Sequence, residues 1–303
     1  MKAIVKRIKE NSSQALQIGY WGAFGGGMGS LLIDLIRGPL STYFRRAIAP
    51  LSTSFFSSLF SLGIWYATIS GMITLSLLMG YSSYLKRGLR IGESIIQGIL
   101  LGLFTGFCVY LIAEFIYSYN LISPTNFLGM IFWGIAGGLL GSGFSFLIPN
   151  FVRIRGFLGG GIGGIIGYIL SSFIFSLLGG AMGRLLGLSA LGFLIGLMII
   201  LVEVAFRPAW LVVKWSSNED RTLSLGSKPI LLGCAAHADI YLRQDQGYAP
   251  VTAKVYMEKN KILMQYNSKY GEEEGMKKLT HELQNGDKLK FGSVSLEVES
   301  TNH

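Results

Sequence analysis

The sequence predicts two unlike parts in series, an α-helical polytopic membrane domain of about six spans with an internal repeat, followed by an all-β sandwich. Three observations carry this. Half of the residues are hydrophobic and only 14% are charged, with a mean hydropathy of +0.48, which is too apolar for an ordinary soluble chain. The charge is divided unevenly: residues 1–208 hold 14 Lys/Arg against 5 Asp/Glu, residues 209–303 hold 12 of each, and the formal net charge of +9 arises wholly in the first part. Of 41 glycines, 34 precede residue 209, inside long apolar runs. Glycine penalises a soluble helix but permits close helix approach in lipid.

Residues 1–17 form a short amphipathic N-terminal segment, with Ile4, Val5 and Ile8 set against Lys2, Lys6 and Lys9. It is basic like a signal peptide, yet no small-residue cleavage site follows the first apolar run. Within the glycine-rich domain, 18–206, six runs reach the roughly 20 apolar residues needed to cross the hydrocarbon core. They are Ile18–Ile36, Leu51–Leu78, Ile95–Tyr117, Phe127–Ile148, Phe157–Leu178 and Leu185–Phe206. Basic residues near the helix ends set the orientation. With the N-terminus inside, the inner segments hold Lys2, Lys6, Arg7, Lys9, Lys86, Arg87, Arg90, Arg153, Arg155, Arg207 and Lys214, and the outer ones hold Arg37, Arg45, Arg46 and Arg184. Both termini are therefore expected to be cytoplasmic. The 37–46 stretch reads either as an outer loop or as a short re-entrant helix.

WGAFGGGMGSLLIDLI (21–36) aligns without gaps to WGIAGGLLGSGFSFLI (133–148), pairing the first span with the fourth and implying inverted halves. A rival alignment matches Gly98, Gly102 and Gly106 to Gly159, Gly163 and Gly167 and implies three parallel hairpins. Spacing of four places Gly22, Gly26 and Ser30 on one face, as it does Gly134 with Gly138, Gly156 with Gly160 and Gly164, and Gly179 with Gly183 and Gly187. Such faces serve intramolecular packing, or a homo-oligomeric or pore-lining surface. Four ionisable residues within the spans are functional candidates because of their insertion cost: Asp34, Glu114, Arg184 and Glu203. Asp34 stands three before Arg37 and Glu203 four before Arg207, spacings that suit interfacial ion pairs, while a proton or cation relay is the sharper alternative. Glu114 has no sequence-near cation, and Arg184 is an outer-face candidate for a headgroup contact.

After Phe206, Pro208 ends the helix, Trp210 is placed as an interface anchor, and alternating strand-like runs begin without a flexible linker. Strands are expected at Trp210–Trp215, Thr222–Leu225, Pro229–Leu232, Asp239–Leu242, Val251–Met257, Ile262–Tyr266, Lys288–Phe291 and Val294–Val298, separated by turns such as Asn285-Gly286-Asp287. Many short strands at close spacing predict a β-sandwich.

Within 209–303, ILLGCAAHADIYL (230–242), GYAPVTAKVYME (247–258) and LQNGDKLKFGSVSLEV (283–298) resemble three landmarks of a forkhead-associated (FHA) domain. The glycine-rich spans in front of it also resemble a group of uncharacterised bacterial membrane proteins, which implies the bacterial inner membrane. The FHA resemblance implies binding of phosphothreonine peptides through an arginine and a serine on the phosphate, a histidine buttressing the loop and an asparagine on the peptide backbone. In this chain Cys234 stands at the arginine position, Ala249 at the serine position and Thr252 at the histidine position, with Asn267 as the surviving asparagine. A dianionic phosphate requires cationic and hydroxyl donors, which Cys234 and Ala249 do not supply, leaving Arg243 or Lys254 to compensate. His237 reads as a loop histidine. The site is therefore expected to be degenerate.

The three histidines, His237, His281 and His303, are far apart, and the glycine strings do not lie between a strand and a helix. No enzyme, cofactor, metal site or nucleic-acid partner is expected. The function anticipated is a membrane scaffold or adaptor whose cytoplasmic FHA-like domain docks a protein partner, with the bilayer and a homo-oligomer as further partners. The alternative is a transporter or channel built from repeated halves, with the β domain as a regulatory cap.

Overall fold

A computed structural model of the chain describes residues 2–37, 63–85, 91–118, 126–216, 219–235, 238–273, 275–276 and 278–301. The positions Arg45, Arg46, Lys86, Arg87, Arg90, His237 and His303, the side chain of Arg37 and the first twelve residues of the second expected span lie outside them. A helical N-terminal part is followed by a C-terminal β-sheet region. Two compact units are distinguished: Met1–Tyr81, Arg90–Leu147 and Val152–Ala205 form one, and Ser82–Leu89, Ile148–Phe151 and Phe206–His303 form the other.

The helical unit begins with α1 (Lys2–Glu10), and after Asn11 continues as α2 (Ser12–Arg37), α3 (Ile64–Tyr84), α4 (Ile91–Ser118), α5 (Asn126–Leu147), α6 (Arg153–Leu178) and α7 (Gly180–Phe206). Among the described residues, five helices are long and apolar enough to cross a membrane, within α3 to α7. The first expected span, in α2, is not among them, because its glycines, Ser30 and Asp34 dilute its apolar content. Its outer stripe is nonetheless apolar, with Tyr20, Phe24, Leu31 and Leu35 all about half exposed or more.

Glycine sets the helix contacts. A Cβ on Gly160 would meet the backbone of Gly137, and one on Gly156 the backbone of Gly141, so α5 and α6 run with their main chains in contact. Gly22 and Gly26 of α2 face Gly192 and Leu188 of α7 in the same way, Gly25 and Gly29 face Ile73 and Ile69 of α3, and Gly102 of α4 faces Gly71 of α3. On its other face α6 sets Gly159, Gly163 and Gly167 against Ile199, Ile195 and Leu191 of α7. Residue numbers rise on one helix as they fall on its neighbour in each of these pairs. The starts of α2, α4 and α6 and the ends of α3, α5 and α7 thus lie at one end of the bundle. Gly179 does not belong to the face shared by Gly183 and Gly187: it ends α6 at φ 60°, its N–H donating to the Phe175 carbonyl at 2.8 Å, and Gly180 follows at φ 51°. Two consecutive positive φ values, tolerated by glycine, make a helical hairpin with almost no loop.

Among the described residues the second unit holds nine strands: β1 (Ala209–Ser216), β2 (Glu219–Ser224), β3 (Ile230–Gly233), β4 (Ile240–Tyr241), β5 (Ala253–Glu258), β6 (Lys261–Tyr266), β7 (Thr280–Leu283), β8 (Lys288–Phe291) and β9 (Val294–Ser300). They form one sheet in the order β2-β1-β9-β8 and another in the order β4-β3-β5-β6-β7. Alternation sorts the side chains: Val294, Leu296 and Val298 of β9 are buried, as are Leu211 and Val213 of β1 and Val255 of β5. The expected strands all appear, Lys288–Phe291 with its ends unchanged and the others with shifted ends, whereas β7 and the short helix α8 (Ser268–Glu273) are not expected from the sequence, since Thr280-His281-Glu282 is polar at every position of an exposed edge strand. Turn chemistry fixes the registers. Lys259 and Asn260, both at positive φ, join β5 to β6 in a two-residue hairpin, and in the Asn285-Gly286-Asp287 turn Asp287 accepts the Gln284 N–H at 2.7 Å while Asn285 accepts that of Ser300 at 2.9 Å.

Two segments between helices fold into this same unit. Tyr84 accepts the Thr222 N–H at 2.9 Å and lies under the Arg221 guanidinium at 4.8 Å. Asn150 pairs with the backbone of Lys228 through both amide atoms, at 2.9 and 3.0 Å. Trp210 corrects an expectation: it is 5% exposed beneath the guanidinium of Arg207, at 4.6 Å, and so is a packed core ring of this unit and not a lipid-facing anchor.

Candidate functional site

The loops at one end of β3, β5 and β6 bring four of the six expected binding-loop residues together. Gly233 closes β3 where a side chain would collide with the Pro250 carbonyl, so the Cys234–Ala235 turn lies against the 249–250 loop. Cys234 N–H donates to the Ala249 carbonyl at 3.1 Å and Ala235 N–H to that of Pro250 at 3.2 Å. Thr252 is fully buried, and its hydroxyl donates to the Ala249 carbonyl at 3.2 Å. It thereby supports the 249–250 loop from within the unit. Asn267 donates its side-chain amide to the Val251 carbonyl at 3.0 Å and accepts the Lys269 N–H at 3.1 Å, tying the loop to the start of α8.

Arg243 and Lys254 lie elsewhere. The Arg243 guanidinium is engaged by Asp245 through two bonds of 3.1 and 2.8 Å, and Lys254 sits exposed in mid-β5, across from Leu231 and Gln265. The loop face thus presents a thiol, methyl groups and Pro250. The basic residue that the fold sets beside it is Lys269, exposed on α8, which the sequence reading did not single out. Two further groups were missed. Asp239 accepts the Leu231 N–H at 2.8 Å and shapes the turn before β4. Tyr248, Tyr266, Tyr270, His281 and Phe291 form a connected set of rings with centroids 5.8 to 6.3 Å apart; the four-residue spacing of Tyr266 and Tyr270 was the signal available. Burial raises the Tyr266 hydroxyl above its ordinary range, so this ring stays neutral.

The loop geometry makes a differential prediction. Asn267→Ala removes two bonds that hold the loop and should lower unfolding stability by about 1 kcal/mol. Arg243→Ala removes only an exposed pair and should leave it unchanged. Chemical denaturation of the two variants checks this; equal losses would mean that Asn267 does not organise the loop.

In the helical unit Asp34 and Glu203 each have a cationic partner distant along the chain. Asp34 is held by Arg184 in a two-pronged pair, 3.1 Å on each prong, linking α2 to α7. Arg184 is therefore engaged by a carboxylate. Glu203, 3% exposed, lies 3.4 Å from Arg155 and links α7 to α6. Glu114, half-buried, is hydrogen-bonded by Tyr110 one turn earlier in α4. Arg184 and Glu203 are 19 positions apart on α7, about 28 Å along a helix, so the two ion pairs belong to opposite ends of the bundle. Among the described residues no group of three or more His, Cys, Asp or Glu is placed to hold a metal.

No protein-family model and no curated protein sequence matches the chain. A solved structure described as "Structural and functional analysis of phosphothreonine-dependent FHA domain interactions" is similar to it at 14% identity and a TM-score of 0.25, over 31% of this chain and 99% of that one.

Proposed function

We propose that the chain is an integral membrane scaffold or adaptor, in which a six-span bundle presents an FHA-like β-sandwich on the cytoplasmic side for docking a protein partner without phosphate readout. The observation that carries this reading is the loop face itself. It is laced by backbone bonds into one preformed surface, yet Cys234 and Ala249 occupy the phosphate-contacting positions and Arg243 is committed to Asp245. A preformed loop whose Cys234 and Ala249 side chains offer a dianion no cationic or hydroxyl donor suits an unphosphorylated segment. The sixth span is α2, whose packing against α3 and α7 and apolar outer stripe match its neighbours despite its lower hydropathy. The basic residues near the helix ends favour cytoplasmic termini.

The inverted-repeat alignment draws support from one feature: Gly25 and Gly29 of α2 and their counterparts Gly137 and Gly141 of α5 both face the following helix. That is the feature favouring the transporter alternative. Against it, α2 and α4 to α7 run unbroken through their glycines, and Asp34 and Glu203 do not converge.

The test is peptide binding by the full-length protein in detergent. No preference for a phosphothreonine peptide over its unphosphorylated form is expected. Cys234→Arg with Ala249→Ser should create one, because charge-assisted hydrogen bonds contribute about 1.5–3 kcal/mol each. Selective phosphopeptide binding by the unaltered chain, abolished by Lys269→Ala, would replace the adaptor reading by a phosphorylation-dependent one.

A further inference from the structure

Helix α1 has no role in the reading above, and it is built unlike any other helix of the unit. It comprises nine residues that carry an apolar arc, and it leads into α2 through helix-type bonds, from Asn11 N–H to the Arg7 carbonyl and from Ala15 N–H to that of Asn11, both 3.1 Å. Helical spacing places Ile4, Val5 and Ile8 on that arc, and Val5 is 60% exposed. The flanks of the arc are cationic: Lys2, Lys6, Arg7 and Lys9 against Glu10 give 4 − 1 = +3 over the helix. Glu10 offsets little of this, because its contact with Lys6 is 3.7 Å long between side chains 78% and 51% exposed.

Its position is fixed by continuity. Asn11 alone separates α1 from α2, and the Asn11 side chain donates back to the Arg7 carbonyl at 2.9 Å, so the helix is held at the end where α2 enters the bundle. The α5–α6 connection lies at that same end, and there the Arg153 guanidinium lies 4.4 Å over the exposed ring of Phe146.

We propose that α1 docks in the plane of the bilayer surface and that its occupant is anionic phospholipid, with the apolar arc between acyl chains and Lys6, Arg7 and Lys9 on the headgroups. An apolar arc with cationic flanks is the form that binds anionic lipid interfaces. Attachment of the adaptor's N-terminal segment thereby becomes sensitive to lipid charge. The proposal rests on the membrane reading above.

The test uses the full chain with Cys108→Ser and Cys234→Ser, and Val5→Cys carrying an environment-sensitive fluorophore. The protein is placed in nanodiscs of phosphatidylcholine alone or of phosphatidylcholine with phosphatidylglycerol. The docked-to-free ratio, read as blue-shifted emission, should rise about tenfold or more in anionic discs. High salt should reverse the gain through screening, and Lys6→Gln/Arg7→Gln/Lys9→Gln should abolish it. Equal emission in the two lipids overturns the proposal, whether the probe is buried in both, by apolar contact alone, or exposed in both. A chain that does not enter discs overturns the membrane reading and this proposal together.

Discussion

Gly160→Leu is expected to prevent the helical unit from assembling. At this position the α6 main chain rests on the Gly137 backbone of α5, so even a methyl group has no room, and the colliding atom is a carbonyl of a facing helix, which no rotamer change can move aside. Overpacking a well-filled interior costs about 1–3 kcal/mol where side chains can shift, and the cost here should lie above that range. Gly164→Leu should behave similarly, because its Cβ meets the Trp133 backbone. Gly92→Leu, at a position with nothing within 4 Å, is the control and should be near neutral. Thermal stability and monodispersity in detergent check the set. Unchanged behaviour of both Gly160→Leu and Gly164→Leu would mean that this face meets lipid and not α5.

Arg155→Leu should be the next most damaging substitution. Glu203 is 3% exposed and lies 3.4 Å from Arg155, and removal of the cation leaves a carboxylate in a medium that solvates it poorly. Breaking a buried pair from one side costs about 3–5 kcal/mol. Arg155 is 23% exposed, so a loss of about 2–3 kcal/mol is expected. Arg155→Leu/Glu203→Leu should recover most of it, since no unpaired charge remains and both side chains become apolar. Melting temperatures of the four proteins in this cycle measure the coupling. Strict additivity would show that the pair contributes nothing to the α6–α7 contact.

The residues that the sequence resolved best are those whose environment is local. The change of solvent at Pro208, the helices α3 to α7 and the Asn285-Gly286-Asp287 turn all follow from composition, span length and turn chemistry within a few neighbours. In the candidate site the lack of a cationic or hydroxyl side chain at Cys234 and Ala249 was legible for the same reason, because residue identity decides whether a donor exists. Fold topology decided the rest. No neighbour spacing reveals Arg184 as a partner of Asp34, because α2 and α7 pack through Gly22 and Gly192 and bring it there from 150 positions away. The polar strand β7 carries no apolar period and forms because β6 offers it an edge. Arg243 reads as a free cation until the turn after it delivers Asp245 to both of its donors. Sequence thus determined which groups each segment carries and which solvent it prefers, whereas the pairing of groups distant along the chain was decided only by packing, since a contact depends on where two backbones cross and not on either residue alone.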